Sequence, residues 1–253
     1  MLFRSFELGD AFIVIWILFL ILFTISFLGP KRDFLKTLTP MISEGKQPLE
    51  SNYLVTTIKW FSVLVLISGI INFVQEGIGI TIEAPPAQNE LIRFYDVSLA
   101  PIIEEIGFRV LLIGLPLFAF YSHKSSISHF FKSLWSPSDN LDIFDSRKAI
   151  ILITVVAVFF GIAHILSGEP WSTGKFTQAT VSGIIIGWVY FRMGLVSAIL
   201  IHWATNYFVF SYVYMIADFA EISIEKAFEH SLMMTFEILF IALGILSIDR
   251  KST

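Results

Sequence analysis

The sequence predicts an all-α fold, a polytopic bundle of about seven transmembrane helices with room for an eighth interfacial or re-entrant segment. Hydrophobic residues make up 55% of the 253 positions, whereas charged residues make up only 15%. The mean hydropathy of +0.76 is typical of membrane proteins rather than soluble domains. Several apolar runs approach the ~20 residues that a helix needs to cross a hydrocarbon core. We therefore interpret residues 1–253 as a single integral-membrane domain.

Seven apolar runs are the predicted spans. The fourth and fifth are short, and the fifth and sixth are nearly continuous, which predicts a tight hairpin at Arg192, Met193 and Gly194. The N-terminal run is interpreted as a retained span, because Glu7 and Asp10 are foreign to the basic start of a signal peptide. The runs are about 11–28, 53–74, 97–121, 149–166, 177–193, 195–216 and 230–248.

The loop after the third span contains an amphipathic pattern. Its apolar residues recur at helical spacing, which predicts a short helix lying in the membrane interface or, equally, a buried loop helix. They are Ile127, Phe130, Phe131, Leu134 and Trp135.

Charge and cysteine content exclude several classes of function. A formal net charge of −4 leaves no basic surface for nucleic acid, so we expect no nucleic-acid partner. The absence of cysteine excludes disulfides, thiolate metal sites and a cysteine nucleophile. We expect the lipid bilayer as the surroundings of the chain, and a multi-pass location in the cell (plasma) membrane.

Lysine and arginine predict the orientation in the membrane. Eleven of them lie in the loops after the odd-numbered spans, whereas four lie in the N-terminus and the other loops. Positive charge favours the cytoplasmic side, so the N-terminus is predicted outside and the C-terminus inside. The start of the third span then faces outward.

The stretch APIIEEIGFR, residues 100–109, places three ionisable residues in the third span. A charge at the bilayer centre costs roughly 2.5–3.5 kcal/mol, so such residues indicate a functional site by default. Glu105 and Arg109 are four residues apart and can pair on one helix face. Glu104 points about 100° away and needs a different partner.

Two further polar motifs lie in later spans. FFGIAHIL places Phe160 and His164 on one face, and HWATN places His202 and Asn206 on one face. Between these motifs, a GxxxG pattern at 183–187 allows close helix approach. We therefore expect three helices to bring a carboxylate pair, two imidazoles and an amide to one pocket.

Each of these residues also has a purely structural interpretation. A buried histidine often only satisfies a hydrogen bond, the Glu105–Arg109 pair can neutralise charge locally, and Phe160 can be a pocket wall. The conjunction of three motifs in three spans nevertheless indicates a functional site. Glu237, within the seventh span, is interpreted as either protonated or paired, without a catalytic role.

Together the motifs resemble those of the CAAX prenyl protease and bacteriocin-processing family, also called the Abi family. The resemblance covers about residues 96–210 and implies an all-helical intramembrane endopeptidase, whose best understood relatives release the last three residues of prenylated CAAX proteins. It implies that Glu104 is the general base and that His164 shares the water. His202 and Asn206 would line the pocket and stabilise the oxyanion, with Glu105, Arg109 and Phe160 in support.

The residues suit peptide hydrolysis without reference to a family. A carboxylate in apolar surroundings is a stronger base than one in water, and hydrolysis also needs donors aimed at the developing oxyanion. Two glutamates and two histidines could alternatively ligate zinc through three ligands and an open position. We favour a site without cofactor or metal, because the nearby Arg109 opposes a cation.

Three functions compete at this stage. The first is the intramembrane endopeptidase, and the second is a non-catalytic membrane scaffold or chaperone of the same fold. The third is a proton-coupled transporter, which predicts inverted repeats that the sequence lacks. The expected substrate is a protein or peptide that is prenylated or membrane-anchored. A cytosolic prenyl protein conflicts with the predicted orientation, so either the charge count is inverted or the substrate is extracytoplasmic.

Overall fold

A computed structural model describes residues 8–45, 52–80, 89–166 and 172–249. Within these ranges the chain is helical almost throughout and contains no β-strand. The predicted all-α polytopic bundle is confirmed. Helices suit such a chain because their backbone groups bond internally, where the hydrocarbon core offers no water.

Thirteen α-helical elements and two π-helical elements make up the described fold. The segment π1 (Glu105–Gly114) joins α4 to α5, and π2 (Ala204–Phe208) joins α10 to α11. The α-helices are α1 (Leu8–Leu28), α2 (Phe34–Glu44), α3 (Tyr53–Gly77), α4 (Glu90–Glu104), α5 (Leu115–Tyr121), α6 (Ile127–Trp135), α7 (Pro137–Asn140), α8 (Arg147–Leu166), α9 (Lys175–Met193), α10 (Leu195–Trp203), α11 (Val209–Ala220), α12 (Ile224–Phe228) and α13 (Ser231–Asp249).

Five helices in the described part of the chain are long and apolar enough to cross a membrane. They correspond to the first, second, fourth, sixth and seventh predicted spans, so the protein is a multi-pass membrane protein. The helices are Gly9–Leu28, Tyr53–Gly77, Arg147–Leu166, Leu195–Ala220 and Ser231–Ile248.

The other two predicted spans, 97–121 and 177–193, are helical as predicted but are more polar than a lipid-facing span. Residues 90–121 form one continuous helix through π1, and residues 175–193 form α9. Neither is among the five apolar helices. The helix α9 lies against α3, α8 and α10, so many of its side chains face protein instead of lipid. Polar residues are therefore tolerated in it.

The hairpin of α8 and α9 is held together by small residues, as the GxxxG pattern predicted. A Cβ atom at Gly183 would lie 3.1 Å from Cα of Ala157, and one at Gly187 would lie 2.8 Å from Cγ2 of Ile153. One turn further along, a Cβ atom at Gly161 would lie 3.0 Å from the carbonyl oxygen of Phe176. The two helices thus approach at backbone distance over three consecutive turns.

The two ends of the bundle carry different elements. At one end, the Tyr190 hydroxyl donates a hydrogen bond to the Leu134 carbonyl oxygen at 2.7 Å, which ties α6 to α9. At the opposite end, Nε2 of Gln75 donates to the Gly174 carbonyl oxygen at 3.0 Å, which ties the end of α3 to the start of α9. The candidate site lies toward this second end, where α8 finishes and α9 begins.

The predicted amphipathic helix after the third span is α6, Ile127–Trp135. Leu134 is buried, whereas Ile127 and Phe131 are 80% and 64% exposed. Exposed apolar side chains on a short helix at the end of a membrane bundle favour the interfacial alternative over the buried one.

Candidate active site

Three helical regions supply the predicted site residues. The junction of α4 and π1 carries Glu104, Glu105 and Arg109, and the last two turns of α8 carry Phe160 and His164. His202 lies in the last turn of α10, next to π2. These regions come together because α10 packs on α4 and π1, while α8 packs on π1.

The centre of the site is a fully buried ion pair. Nε of Arg109 lies 3.0 Å from Oε2 of Glu105, and the two side chains are 1% and 0% exposed. The guanidinium carbon of Arg109 also stacks over the Phe160 ring at 4.5 Å from its centroid. The Glu105–Arg109 pairing predicted from their spacing is confirmed, and the aromatic ring adds a cation–π contact that favours the buried charge.

Glu105 also orients His202. Its Oε1 lies 2.8 Å from Nδ1 of His202, which is itself buried. A carboxylate only accepts hydrogen bonds, so Nδ1 carries the proton in this contact. Neutral His202 therefore presents the lone pair of Nε2 to the other side of the ring, and Glu105 selects that tautomer.

Glu104 lies on that other side. Its Oε2 is 3.8 Å from Nε2 of His202, too far for a direct hydrogen bond. The Glu104 side chain is 30% exposed, and Oε2 accepts no hydrogen bond from the described residues. Oε2 of Glu104 therefore lies opposite Nε2 of His202 and is itself buried.

His164 completes the cluster from α8. Its Nδ1 donates to the Phe160 carbonyl oxygen at 2.9 Å, because a carbonyl cannot donate. Its ring meets the Phe160 ring edge to face, at 4.5 Å between centroids. In the neutral ring the Nε2 lone pair is therefore left for a substrate or water.

Asn206 is less closely associated with the other predicted residues. It lies in π2, four residues after His202, and it is partly buried. The contacts described for the site join the other six predicted residues to one another but do not include the Asn206 amide. Glu237 stands apart as well, since it is exposed on α13.

Two features of the site were not predicted from the sequence. The first is the π-helical backbone at both motif helices, where the turns are wider than in an α-helix. The second is Lys175 at the start of α9, the helix that follows His164 in the chain. The antiparallel register of α8 and α9 could have indicated Lys175, because it follows His164 across the short hairpin.

The Glu105 carboxylate is already engaged by other side chains of the site. Among the residues that the structure describes, no three His, Asp or Glu side chains are arranged to hold a metal ion. Both oxygens of Glu105 are engaged, one by His202 and one by Arg109. A cation at this carboxylate would have to displace the guanidinium.

The fold and the site thus define a multi-pass membrane protein with a carboxylate–imidazole cluster inside its helical bundle. Residues 88–208, just under half of the chain, match the family described as Type II CAAX prenyl endopeptidase Rce1-like. This range contains all seven predicted site residues and confirms the predicted CAAX prenyl protease family. The chain is therefore a CAAX protease-like intramembrane endopeptidase, a hydrolase that acts on a protein or peptide. No similar protein was found among curated proteins or among solved structures.

Proposed function

We propose that this protein is a glutamate-dependent endopeptidase that hydrolyses a peptide bond of a prenylated or membrane-anchored substrate with a water activated by Glu104. The observation that carries the proposal is the gap between Glu104 and His202. Oε2 of Glu104 and Nε2 of His202 are 3.8 Å apart, and both are acceptors when His202 is neutral. A water that donates to both has its oxygen lone pairs turned toward an incoming carbonyl group.

The proposed reaction moves one proton twice. Glu104 takes a proton from the water as the water oxygen bonds to the scissile carbonyl carbon, which gives a tetrahedral oxyanion. Glu104 then returns the proton to the leaving nitrogen as the carbon–nitrogen bond breaks. His202 holds the second hydrogen of the water, and the carboxylate of Glu105 keeps the imidazole in position.

The oxyanion needs a hydrogen-bond donor. The tautomers of His164 and His202 limit which side chains can provide one. Nδ1 of His164 and Nδ1 of His202 already donate to Phe160 and Glu105. Neutral forms of these two rings therefore have no second N–H to offer. We assign oxyanion stabilisation to the Asn206 amide, and water positioning to His202 with His164 beside it. The sequence-based expectation had given the water to Glu104 and His164, and the oxyanion to His202 together with Asn206.

We propose further that the reaction requires no metal. The Arg109 guanidinium supplies the buried positive charge of the site, in contact with Glu105. This charge offsets the buried carboxylate of Glu105 without a bound cation. This mechanism differs from zinc catalysis, in which a metal lowers the pKa of the attacking water.

The test is cleavage of a farnesylated CAAX peptide by detergent-purified protein, followed by mass spectrometry. We expect the wild type to release the C-terminal tripeptide and Glu104→Gln to be slower by about 10²–10⁴-fold, the usual contribution of a general base. The matched control is Glu237→Gln, which removes an exposed carboxylate elsewhere in a span. It should cleave at the wild-type rate.

A strong zinc chelator forms the third arm of this experiment. Unchanged cleavage after chelation and dialysis supports the metal-free site, whereas a loss that zinc restores would overturn it. Normal activity of Glu104→Gln would overturn the role of Glu104 as the base. No cleavage of the prenylated peptide by wild type, with cleavage of an unprenylated membrane-anchored peptide, would replace the prenyl substrate but keep the protease.

A further inference from the structure

An aromatic residue follows each of the two polar site residues at the end of α10 and in π2. Trp203 follows His202, and Tyr207 follows Asn206. Adjacent residues on a helix point about 100° apart, so each ring lies on a different face from the polar side chain before it. The Trp203 and Tyr207 rings stack on each other, with 4.6 Å between their centroids and 14° between their planes. The stacked pair therefore runs along the helix beside its polar face.

The N-terminal helix α1 covers this stacked pair. Phe19 and Phe23 lie one turn apart on α1, and their ring centroids are 5.5 Å and 5.1 Å from that of Trp203. The Trp16 ring meets the Tyr207 ring edge to face at 5.2 Å. The three α1 residues recur at spacings of three and four, so they share one face of the helix. A single face of α1 therefore contacts both rings of the pair.

The Trp203 side chain is held by its ring and not by its N–H group. Its Nε1 is buried and has no hydrogen-bond partner among the residues that the structure describes. A buried donor without a partner costs free energy, so this group does not fix the side chain. Edge-to-face and stacked aromatic pairs are favourable beyond the apolar area that they bury. The contacts with α1 and Tyr207 therefore determine where the indole ring lies.

The position of Trp203 bears directly on His202, its neighbour in the chain. Nδ1 of His202 lies 2.8 Å from Oε1 of Glu105, which belongs to a different helical region. A hydrogen bond weakens steeply when its geometry is lost, so this contact requires α10 to stay at one distance from π1. The π2 segment that continues α10 has wider turns than an α-helix. Aromatic packing from α1 supplies a constraint on this region from outside it.

We propose that α1 positions the polar residues of the site through the rings of Trp203 and Tyr207. The inference rests on the proposed function and adds an element to it, because α1 lies outside the matched residues 88–208. Trp203 and Tyr207 are positioning residues, since they act through His202 and Asn206 rather than on the substrate. The N-terminal helix is then a working part of the site as well as a membrane span.

The experiment measures cleavage of the farnesylated CAAX peptide by Trp203→Leu and by the double variant Trp16→Leu/Phe23→Leu, which leaves π2 itself unchanged. Each should lower kcat by about ten- to hundredfold, the loss expected from a small misplacement of catalytic groups, with KM near the wild-type value. Trp203→Phe should recover most of the loss, because a ring remains. The matched control is Phe27→Leu, which removes an α1 ring that contacts Phe34 of α2 at 5.8 Å. It should leave kcat unchanged.

A spectroscopic measurement tests the inference without cleavage. The Nδ1–H group of His202 is buried against Glu105, so its proton signal in the NMR spectrum should be protected from exchange with water. His202→Gln assigns the signal by removing it. The double α1 variant should weaken or lose the signal, whereas Phe27→Leu should keep it. The double variant also keeps the inference testable if Trp203→Leu is not folded.

An unchanged His202 signal together with an unchanged kcat in the double α1 variant would overturn the positioning role. An equal loss of kcat in Phe27→Leu would overturn it too, and would assign α1 to the general stability of the bundle. Failure of wild type to cleave the peptide would reject the proposed prenyl-peptide function itself. The His202 signal would still decide whether α1 positions the site.

Discussion

Glu104 and Glu105 are adjacent in the chain and have opposite surroundings. The Glu105 side chain is 0% exposed and contacts both Arg109 and His202. The Glu104 side chain is 30% exposed and lies 3.8 Å from His202. One carboxylate is therefore a fixed structural acceptor, whereas the other is partly exposed. Adjacent residues on a helix point about 100° apart, so one dipeptide can supply both a buried carboxylate and a partly exposed one.

A double-mutant cycle tests the buried pair. Glu105→Gln and Arg109→Met should each lower the free energy of unfolding by about 3–5 kcal/mol, because each leaves one charge buried without its partner. The double variant should lose less than the sum of the single losses. Unfolding of the purified protein in mixed micelles measures all three. Additive losses would show that the two side chains do not depend on each other.

At the scale of elements, the α8–α9 hairpin determines how accurately the site is assembled. His164 lies near the end of α8, and Lys175 lies at the start of α9. Glycines form the contact between these helices, with Cα and Cβ of Ala157 and the ring of Phe160 opposite Gly183. A change in helix separation is therefore transmitted directly to the site.

Gly183→Ala should separate the two helices. Its Cβ would lie 3.1 Å from Cα of Ala157 and 3.3 Å from Cδ1 of Phe160, the ring that stacks on Arg109. We expect about 1–3 kcal/mol of destabilisation and reduced cleavage, as for other overpacked cores. Thermal unfolding and peptide cleavage measure the two effects.

The matched control for that variant is Gly69→Ala in α3. A Cβ there meets only Cδ1 of Ile241, at an ordinary 3.7 Å. Alanine favours helix over glycine by up to about 1 kcal/mol, so this variant should be as stable as wild type or more so. Equal stability and activity of the two alanine variants would contradict the close-contact account.

The π-helical segments belong to the same scale. Both interrupt motif helices, and π1 begins at Glu105 while π2 begins two residues after His202. The wider turns change the direction of the side chains that follow and make the backbone hydrogen bonding less regular. Such segments are frequent at functional sites, which agrees with their position here.

For the whole molecule, the distribution of positive charge predicts which side of the membrane the site faces. The segments 29–52 and 122–148 together carry eight of the seventeen lysine and arginine residues, whereas the site lies toward the other end of the bundle. The positive charge therefore predicts a site near the outer surface. A cytosolic prenyl protein requires the reverse orientation.

The orientation can be measured directly, because the chain contains no cysteine. Ile78→Cys, 68% exposed beyond the end of α3, should react with a membrane-impermeant maleimide on intact cells. Ser125→Cys, exposed between α5 and α6, should react only after the cells are opened. The opposite pattern would place the site on the cytosolic side and favour a cytosolic prenyl protein.

The sequence by itself determined the class of fold and the set of reactive residues. Long apolar runs have few folded solutions in a bilayer, so an all-helical bundle followed from hydropathy. The spacing of Glu105 and Arg109 predicted their ion pair, and the GxxxG pattern predicted the approach of α9 to a neighbour. These properties are local, and the helical repeat alone is enough to derive them.

Only the tertiary structure decided which partner each polar group has. The bond from His202 to Glu105 joins residues almost a hundred positions apart, and it fixes the tautomer on which the proposed chemistry depends. Polar α9 lies inside the bundle, which hydropathy does not reveal because it assumes contact with lipid. Helical periodicity specifies which residues share one face of a helix. The packing of the helices specifies which residues of other helices they contact.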